Sequence, residues 1–340
     1  MHFGPTIDLS RVATVYLEVT NRCNLGCESC PRTHFHEDAS AHDMPVHRVQ
    51  MLLGQVPRGI RTVLHGLGEP LCHPDILGII RLAKAHDHTT VFNTNAMLLD
   101  ERNAVALIDA GHDDLRISIE TPDPGLFVQL RPKGEHARIV DNVRRLLELR
   151  TQAGSKLPRV SMWMTAFRSY IHQLPELIRL AADIGADEVY LQRMVSFGAG
   201  TALMKESIFN DDDARISAIL EESRNLASEL GVHLDASGGE APTTLTIEGT
   251  SADDDSSEQP WQECYRPFTT IYVRADGTML PCCVAPFSSG DRIDDFILGN
   301  AYEAPLEDIW QGERYRSFRR AFHSREPWEC CERCGSDWSL

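Results

Sequence analysis

Cysteine placement constrains this chain more than any other feature. Of ten cysteines in 340 residues, Cys23, Cys27 and Cys30 fall within eight residues near the start. Cys264, Cys282, Cys283, Cys330, Cys331 and Cys334 fall in the last 77, and only Cys72 stands between the two groups. Met1 to Arg11 lack the basic-then-apolar pattern of a signal peptide. No apolar run approaches the roughly 18 residues that a membrane helix needs. The chain is therefore expected in the cytoplasm, where thiols stay reduced and ten cysteines do not form a disulfide framework. Two cysteine groups flanking a large cysteine-free body predict two metal centres on two structural units. The balance of 33 Lys+Arg against 50 Asp+Glu, a net charge of −17, argues against nucleic acid as a partner.

Between the two groups, short β-rich runs alternate with helical spacing. Thr14–Val19, Thr62–His65, Thr89–Asn93, Leu115–Ile119, Val160–Thr165 and Glu188–Gln192 have the length of buried strands. Apolar residues at helical spacing lie between them, as at Ile76, Ile79, Ile80 and Ala83, or at Leu174, Leu177, Ile178 and Ala181. Gly111 and Gly185 stand where helices end. Six such units predict an α/β fold with a parallel sheet, better matched to a partial (β/α)6 barrel than to a closed eight-strand one. A helix over Asp211–Leu230 completes a first unit, 1–236. The segment 237–260 holds an acidic run, Glu248 to Glu258, and reads as a solvated linker. The cysteine-rich unit 261–340 follows.

The triad sits directly after the first strand, spaced C-x3-C-x2-C. Three thiolates on one tight loop suit three irons of a [4Fe–4S] cube, leaving the fourth iron open. Zinc is the alternative, with His34 or His36 as fourth ligand. This triad, with Gly66-Leu-Gly68-Glu69-Pro70 after the second strand, resembles the radical S-adenosylmethionine (SAM) superfamily over roughly 12–200. Two departures stand out: Leu67 replaces a glycine, and Ser29 stands where the family usually has an aromatic residue beside the adenine.

The resemblance implies that SAM chelates the open iron and that one electron cleaves it to methionine and a 5′-deoxyadenosyl radical, which abstracts hydrogen from a substrate. It places the contacts to SAM at Gly68, Glu69, Asn95, Ser118, Glu120, Arg131 and Leu191, with Glu69 as counter-ion to the ammonium and glycine permitting close approach. A flavodoxin- or ferredoxin-type reductant is the implied electron donor.

In the tail, Tyr272 to Cys283 reads as a hairpin turning at Asp276-Gly277, followed by a helical stretch over Leu306–Phe322. With Cys264, Leu298-Gly-Asn300 and Leu306-Glu-Asp-Ile-Trp310, it resembles the small α+β SPASM/twitch extension of radical SAM enzymes. The resemblance implies one auxiliary [4Fe–4S] cluster held by Cys264, Cys282, Cys331 and Cys334, closed to substrate; a zinc knuckle is the alternative. Cys283, Cys330 and Cys72 are left over, each a candidate hydrogen donor.

The first strand starts too early to leave room for a peptide-binding module ahead of it. The leading expectation is therefore a small carbohydrate-like substrate (a sugar, nucleoside or aminocyclitol) that is oxidised, epimerised or decarboxylated in natural-product, antibiotic-type biosynthesis. A maturase modifying a ribosomally made peptide is the alternative enzyme. An iron–sulfur electron carrier and a zinc-stabilised binding module are the non-enzyme alternatives, and neither explains Gly68-Glu69. The fourteen histidines are expected mostly at the surface.

Overall fold

A computed structural model describes residues 7–35, 40–208, 213–236, 264–289, 291–323, 326 and 328–332. The chain runs β1 (Thr14–Leu17), α1 (Pro31–Phe35), α2 (Val46–Leu53), β2 (Arg61–Val63), α3 (Ile76–Ala85), β3 (Thr89–Thr94), α4 (Glu101–Asp109), β4 (Asp114–Ser118), α5 (Pro124–Leu130), α6 (His136–Gln152), β5 (Arg159–Ala166), α7 (Leu174–Ile184), β6 (Glu188–Arg193), α8 (Ala214–Leu230) and β7 (His233–Ala236). The tail continues as α9 (Arg266–Thr269), β8 (Thr270–Val273), β9 (Thr278–Leu280), α10 (Ala285–Ser288), β10 (Gly299–Asn300), α11 (Leu306–Trp310), α12 (Glu313–His323) and α13 (Glu329–Glu332).

All six strands anticipated from the apolar runs form, each within two residues of the expected ends. They pair in parallel in sequence order, from β1 to β6. Parallel strands joined by helices must be covered, and α7 shows how. Its Leu174, Leu177, Ile178 and Ala181 are all fully buried, each larger side chain contributing about 1.5–3 kcal/mol. Helix starts are fixed by aspartates that accept a backbone N–H: Asp75 for α3, Asp100 for α4, Asp123 for α5 and Asp213 for α8. Gly185 and Gly231 end α7 and α8 at φ 76° and 70°, where a side chain would strain the backbone. Helix α8 is described from Ala214, and the expected start at Asp211 lies outside the described residues.

Two features were not anticipated. A seventh parallel strand, β7, pairs with β6. The tail hairpin also joins the barrel sheet: β8 pairs in parallel with β1, from Thr14↔Thr270 to Leu17↔Val273. The result is one ten-stranded sheet in the order β10-β9-β8-β1-β2-β3-β4-β5-β6-β7, antiparallel only among β8, β9 and β10. The hairpin turns where expected, with Gly277 at φ +87°. The stretch after Leu306 is broken at Gln311-Gly312 into α11 and α12. The acidic segment 237–260 lies outside the described residues. Among those that are described, no helix is long and apolar enough to cross a membrane.

The tail is anchored to the barrel by specific groups. Trp310 is fully buried and donates its Nε1–H to the Ile7 carbonyl at 2.7 Å. Arg319 packs over both the Trp310 and Tyr315 rings and donates to the carbonyls of Pro267 at 3.0 Å and Trp310 at 2.8 Å. These bonds hold α11 and α12 against α9, the element that follows Cys264.

Candidate active site

The sheet curls around a cavity of about 290 Å³ lined by residues of β1 and of β3 through β6. Cys23, Cys27 and Cys30 lie on its wall. Their loop is set by its own backbone: Cys30 N–H donates to the Cys27 carbonyl at 3.2 Å, and Leu25 N–H to the Cys23 sulfur at 3.5 Å. Burial pushes all three thiols up to about 11. As free thiols they are therefore protonated and unreactive at neutral pH, and they become thiolates only as they ligate metal.

Among the described residues the zinc alternative finds no fourth ligand. His34 Nε2 is engaged with the Glu28 carbonyl at 3.0 Å, and His36 lies outside the described residues. Among the described residues no three His, Cys, Asp or Glu side chains converge on a point that one ion would occupy. A soft three-sulfur set ringing a shared cavity fits a four-iron cluster with one open iron.

The Gly66–Pro70 loop has a structural reason for its glycine that differs from the expected one. A Cβ on Gly68 would stand 2.1 Å from the Thr20 carbonyl oxygen and 2.8 Å from that of Arg22. Gly68 is therefore required by the triad loop packed against it, and Glu69 N–H bonds the Arg22 carbonyl at 2.8 Å. Leu67, the departure, is tolerated: its side chain is buried, and its N–H donates to Glu18 Oε2 at 2.9 Å.

Glu69 is 3 % exposed and accepts from Thr94 Oγ1 at 2.7 Å, Asn95 N at 2.7 Å and Leu71 N at 3.1 Å. Burial raises its pKa, and these bonds oppose the rise. Its carboxylate thus ties the motif loop to the end of β3 while also lining the cavity. The Asn95 side chain donates to Asn24 Oδ1 at 2.9 Å, linking that strand end to the triad loop. Ser118 ends β4. Beyond it, buried Glu120 and Arg131 form an ion pair at 2.5 Å. Burial opposes the Arg131 charge, but Glu120 and the Cys27 sulfur more than offset it.

Gly68, Glu69, Asn95, Ser118, Glu120 and Arg131 all line the same cavity as the triad. Leu191 does not. It is 1 % exposed within the core, while its neighbours Gln192 and Arg193 line the cavity. Alternation along β6 sends Leu191 to the opposite face from Gln192. Ser29 also lines the cavity, whose aromatic surface includes Phe167 and Phe197.

In the tail, the structure brings Cys264, Cys282 and Cys331 into one neighbourhood; Cys334 lies outside the described residues. Arg266 is close enough to Cys264, Cys282 and Cys283 for each sulfur to favour its charge, against the opposing effect of burial. The Cys264 thiol is pushed up by burial first, and the Cys331 sulfur adds to the rise. Of the three leftover cysteines, only Cys283 lines the barrel cavity, beside Tyr16. Cys330 is buried in α13, its sulfur 3.9 Å from that of Cys331. Cys72 sits on the turn after Pro70, its carbonyl accepting from Arg22 at 2.6 Å. Because Cys282 and Cys283 are adjacent, the tail sulfurs abut the cavity.

Several lining residues carried no role in the sequence reading, chiefly Tyr16, His65, Arg116 and Trp163. Among the histidines whose side chains are described, His73, His88 and His112 are buried and the others are partly or fully exposed. The readable signal was in β4: Asp114, Arg116 and Ser118 alternate with buried Leu115 and Ile117. That pattern marks a polar inner face in a sheet covered on its outer one.

Comparison with known proteins agrees with this geometry. The radical SAM superfamily profile matches residues 17–157, and that of the SPASM iron–sulfur cluster-binding domain matches 264–335. The chain is 23 % identical over 313 residues to a tungsten-containing aldehyde ferredoxin oxidoreductase cofactor-modifying protein of Pyrococcus furiosus, covering 90 % of this chain and 82 % of that one. It is 25 % identical over 324 residues to a PqqA peptide cyclase of Gluconobacter oxydans, covering 94 % and 83 %. The fold is similar to that of Streptococcus suis SuiB bound to S-adenosylmethionine, with a TM-score of 0.68, 18 % identity, and coverage of 91 % and 68 %. The chain is a radical SAM enzyme with a C-terminal SPASM domain, built to hold a [4Fe–4S] cluster, S-adenosylmethionine and an auxiliary iron–sulfur cluster.

Proposed function

We propose that this enzyme modifies a ribosomally made peptide. The observation that carries the reading is the similarity to PqqA peptide cyclase along 94 % of the chain, barrel and tail together. A carbohydrate-like substrate, the leading expectation from sequence, draws no comparable support: of the two relatives described above, each matched along nine-tenths of the chain or more, one is named for a peptide and the other for an enzyme cofactor.

The bound cofactors supply a carbon-centred radical that removes hydrogen from the substrate. The chain's own residues hold and orient the reactants. Cys23, Cys27 and Cys30 carry the cluster, and Gly68, Glu69, Asn95, Ser118, Glu120 and Arg131 surround S-adenosylmethionine. Cys264, Cys282, Cys331 and Cys334 carry the auxiliary cluster, next to the cavity through Cys283. A small flavodoxin- or ferredoxin-type protein in the cytoplasm supplies the electron.

The test is anaerobic incubation of the iron-reconstituted enzyme with S-adenosylmethionine, a reductant and short peptides encoded beside its gene. A mass loss of hydrogen atoms on one peptide, with 5′-deoxyadenosine released in step, supports the reading. Turnover of a sugar or nucleoside panel with no peptide changed would overturn it.

A further inference from the structure

Beneath the level of Ser118 the barrel has a charged floor that the cluster and S-adenosylmethionine do not account for. Arg116 lies two residues further down β4, about 6.6 Å deeper at strand rise, and lines the same cavity. Its guanidinium is fixed in place. Nε donates to Asp114 Oδ2 at 3.0 Å, and the plane lies 4.3 Å over the Trp163 ring. Trp163 is itself held, stacked 4.1 Å from Tyr190 and donating its Nε1–H to Ser161 Oγ at 2.8 Å. Among the described residues the two terminal nitrogens of Arg116 have no acceptor.

The charges around it do not balance. Arg61 is a second guanidinium nearby, and its buried Nε has no hydrogen-bond partner among the described residues. Its pKa is lowered by burial first and by Arg116 next. His65 accepts from Asn93 N–H at 3.1 Å through Nδ1, and burial, then Arg116 and Arg61, pushes it down to about 3. It is therefore neutral. Arg159, at the start of β5 opposite Asp114, is neutralised by Glu188 at 2.8 Å. Two cations thus share one carboxylate, Asp114. An excess positive charge in a half-buried polar pocket calls for an anion.

We propose that this floor is a substrate-anchoring site, in which the terminal nitrogens of Arg116 bind a carboxylate of the substrate in bidentate fashion. A fixed planar fork with its Nε already used presents two parallel N–H donors, the geometry a carboxylate accepts. This deepens the peptide reading and rests on it for the source of the carboxylate: an acidic side chain or the peptide's C-terminus. Anchored at Arg116, the substrate extends toward the triad with its reacting carbon nearer the cluster.

The test measures equilibrium binding to the oxidised holoenzyme by ligand-observed NMR. The probes are N-acetylglutamate amide (side-chain carboxylate), N-acetylglutamine acid (terminal carboxylate), N-acetylglutamine amide (neither) and glucuronate. The expected result is a preference of about tenfold or more for one acid over the neutral amide. It should vanish in Arg116→Gln and be partly kept in Arg116→Lys, with iron content unchanged in both. The acid that wins identifies the source. Equal binding of acid and amide by the parent protein, or a preference that survives Arg116→Gln, overturns the proposal. If Arg116→Gln loses iron, Arg116→Lys alone decides: a preference reduced from the parent's supports the fork, and a preference equal to the parent's overturns it. Arg116-dependent binding of glucuronate with no peptide ever modified leaves the anion site standing and removes the peptide reading instead.

Discussion

Cys23, Cys27 and Cys30 come from one eight-residue loop, whereas Cys264, Cys282 and Cys331 come from the entrance of α9, the exit of β9 and the last described helix. The triad's geometry is local. Its backbone bonds its own carbonyls, and its neighbours Glu28 and Arg32 tie it to Leu130 and Asn21. The tail sulfurs are held together by elements far apart in the chain, through the pairing of the hairpin with the sheet and the bonds of Arg319 to α9 and α11. Closing such long loops costs more conformational entropy than closing a short one. The tail should therefore depend on its cluster for order far more than the triad loop does.

That contrast is breakable, starting with the largest effect. Cys27→Ala should abolish 5′-deoxyadenosine release and lower iron from about eight to about four per chain, with the tail cluster intact; turnover by this variant would contradict the triad assignment. Gly68→Ala places a methyl group against two backbone carbonyls that cannot move aside. It should cost about 1–3 kcal/mol and displace the triad loop. Iron analysis should find the triad cluster depleted and the tail cluster kept; equal loss from both would mean the two sites are not independently built.

Cys331→Ala should also remove about four irons, but with the opposite outcome. S-adenosylmethionine cleavage should persist in part, product formation should fall steeply, and the melting temperature should drop more than in Cys27→Ala. A drop no larger than that of Cys27→Ala would sink the idea that the tail leans on its cluster.

The smallest effect tests the joint between the two regions. Glu18 accepts from Leu67 N–H of the motif loop, and from Ala275 N–H at 3.4 Å and Tyr272 O–H at 3.3 Å of the tail hairpin. Burial raises its pKa above the ordinary glutamate value, outweighing those bonds. A raised acid stabilises the fold most below its unfolded pKa, near 4.5, and loses that contribution as pH climbs through the folded one. Glu18→Gln lacks this titration. Its melting temperature relative to the parent should rise between pH 5 and pH 8; parallel curves would show that Glu18 carries no such cost.

The same contrast explains what was legible beforehand. Strands β1 to β6 could be read because their apolar runs are contiguous, and the triad and Gly66–Pro70 because each motif is a single segment. The pairing of β8 with β1 was not legible, since no local pattern in Thr270–Val273 names a partner at Thr14–Leu17. The position of Leu191 off the cavity was hidden for a related reason. The motif locates a strand end, but a shift of one residue decides which face a side chain takes, and only the register with β5 settles that. Arg116 went unread because a lone arginine inside a strand looks like an exposed one until the neighbouring strands close around it.

The place of β8 beside β1 also bears on the order of assembly. During synthesis β1 emerges long before β8, one of its two neighbours. Until Thr270–Val273 arrives, β1 is a bare sheet edge with unpaired N–H and C=O groups, a template for pairing with other chains. The SPASM hairpin therefore serves as the barrel's edge cover as well as a cluster support. Chains cut short before residue 270 should aggregate even though all six barrel strands are present.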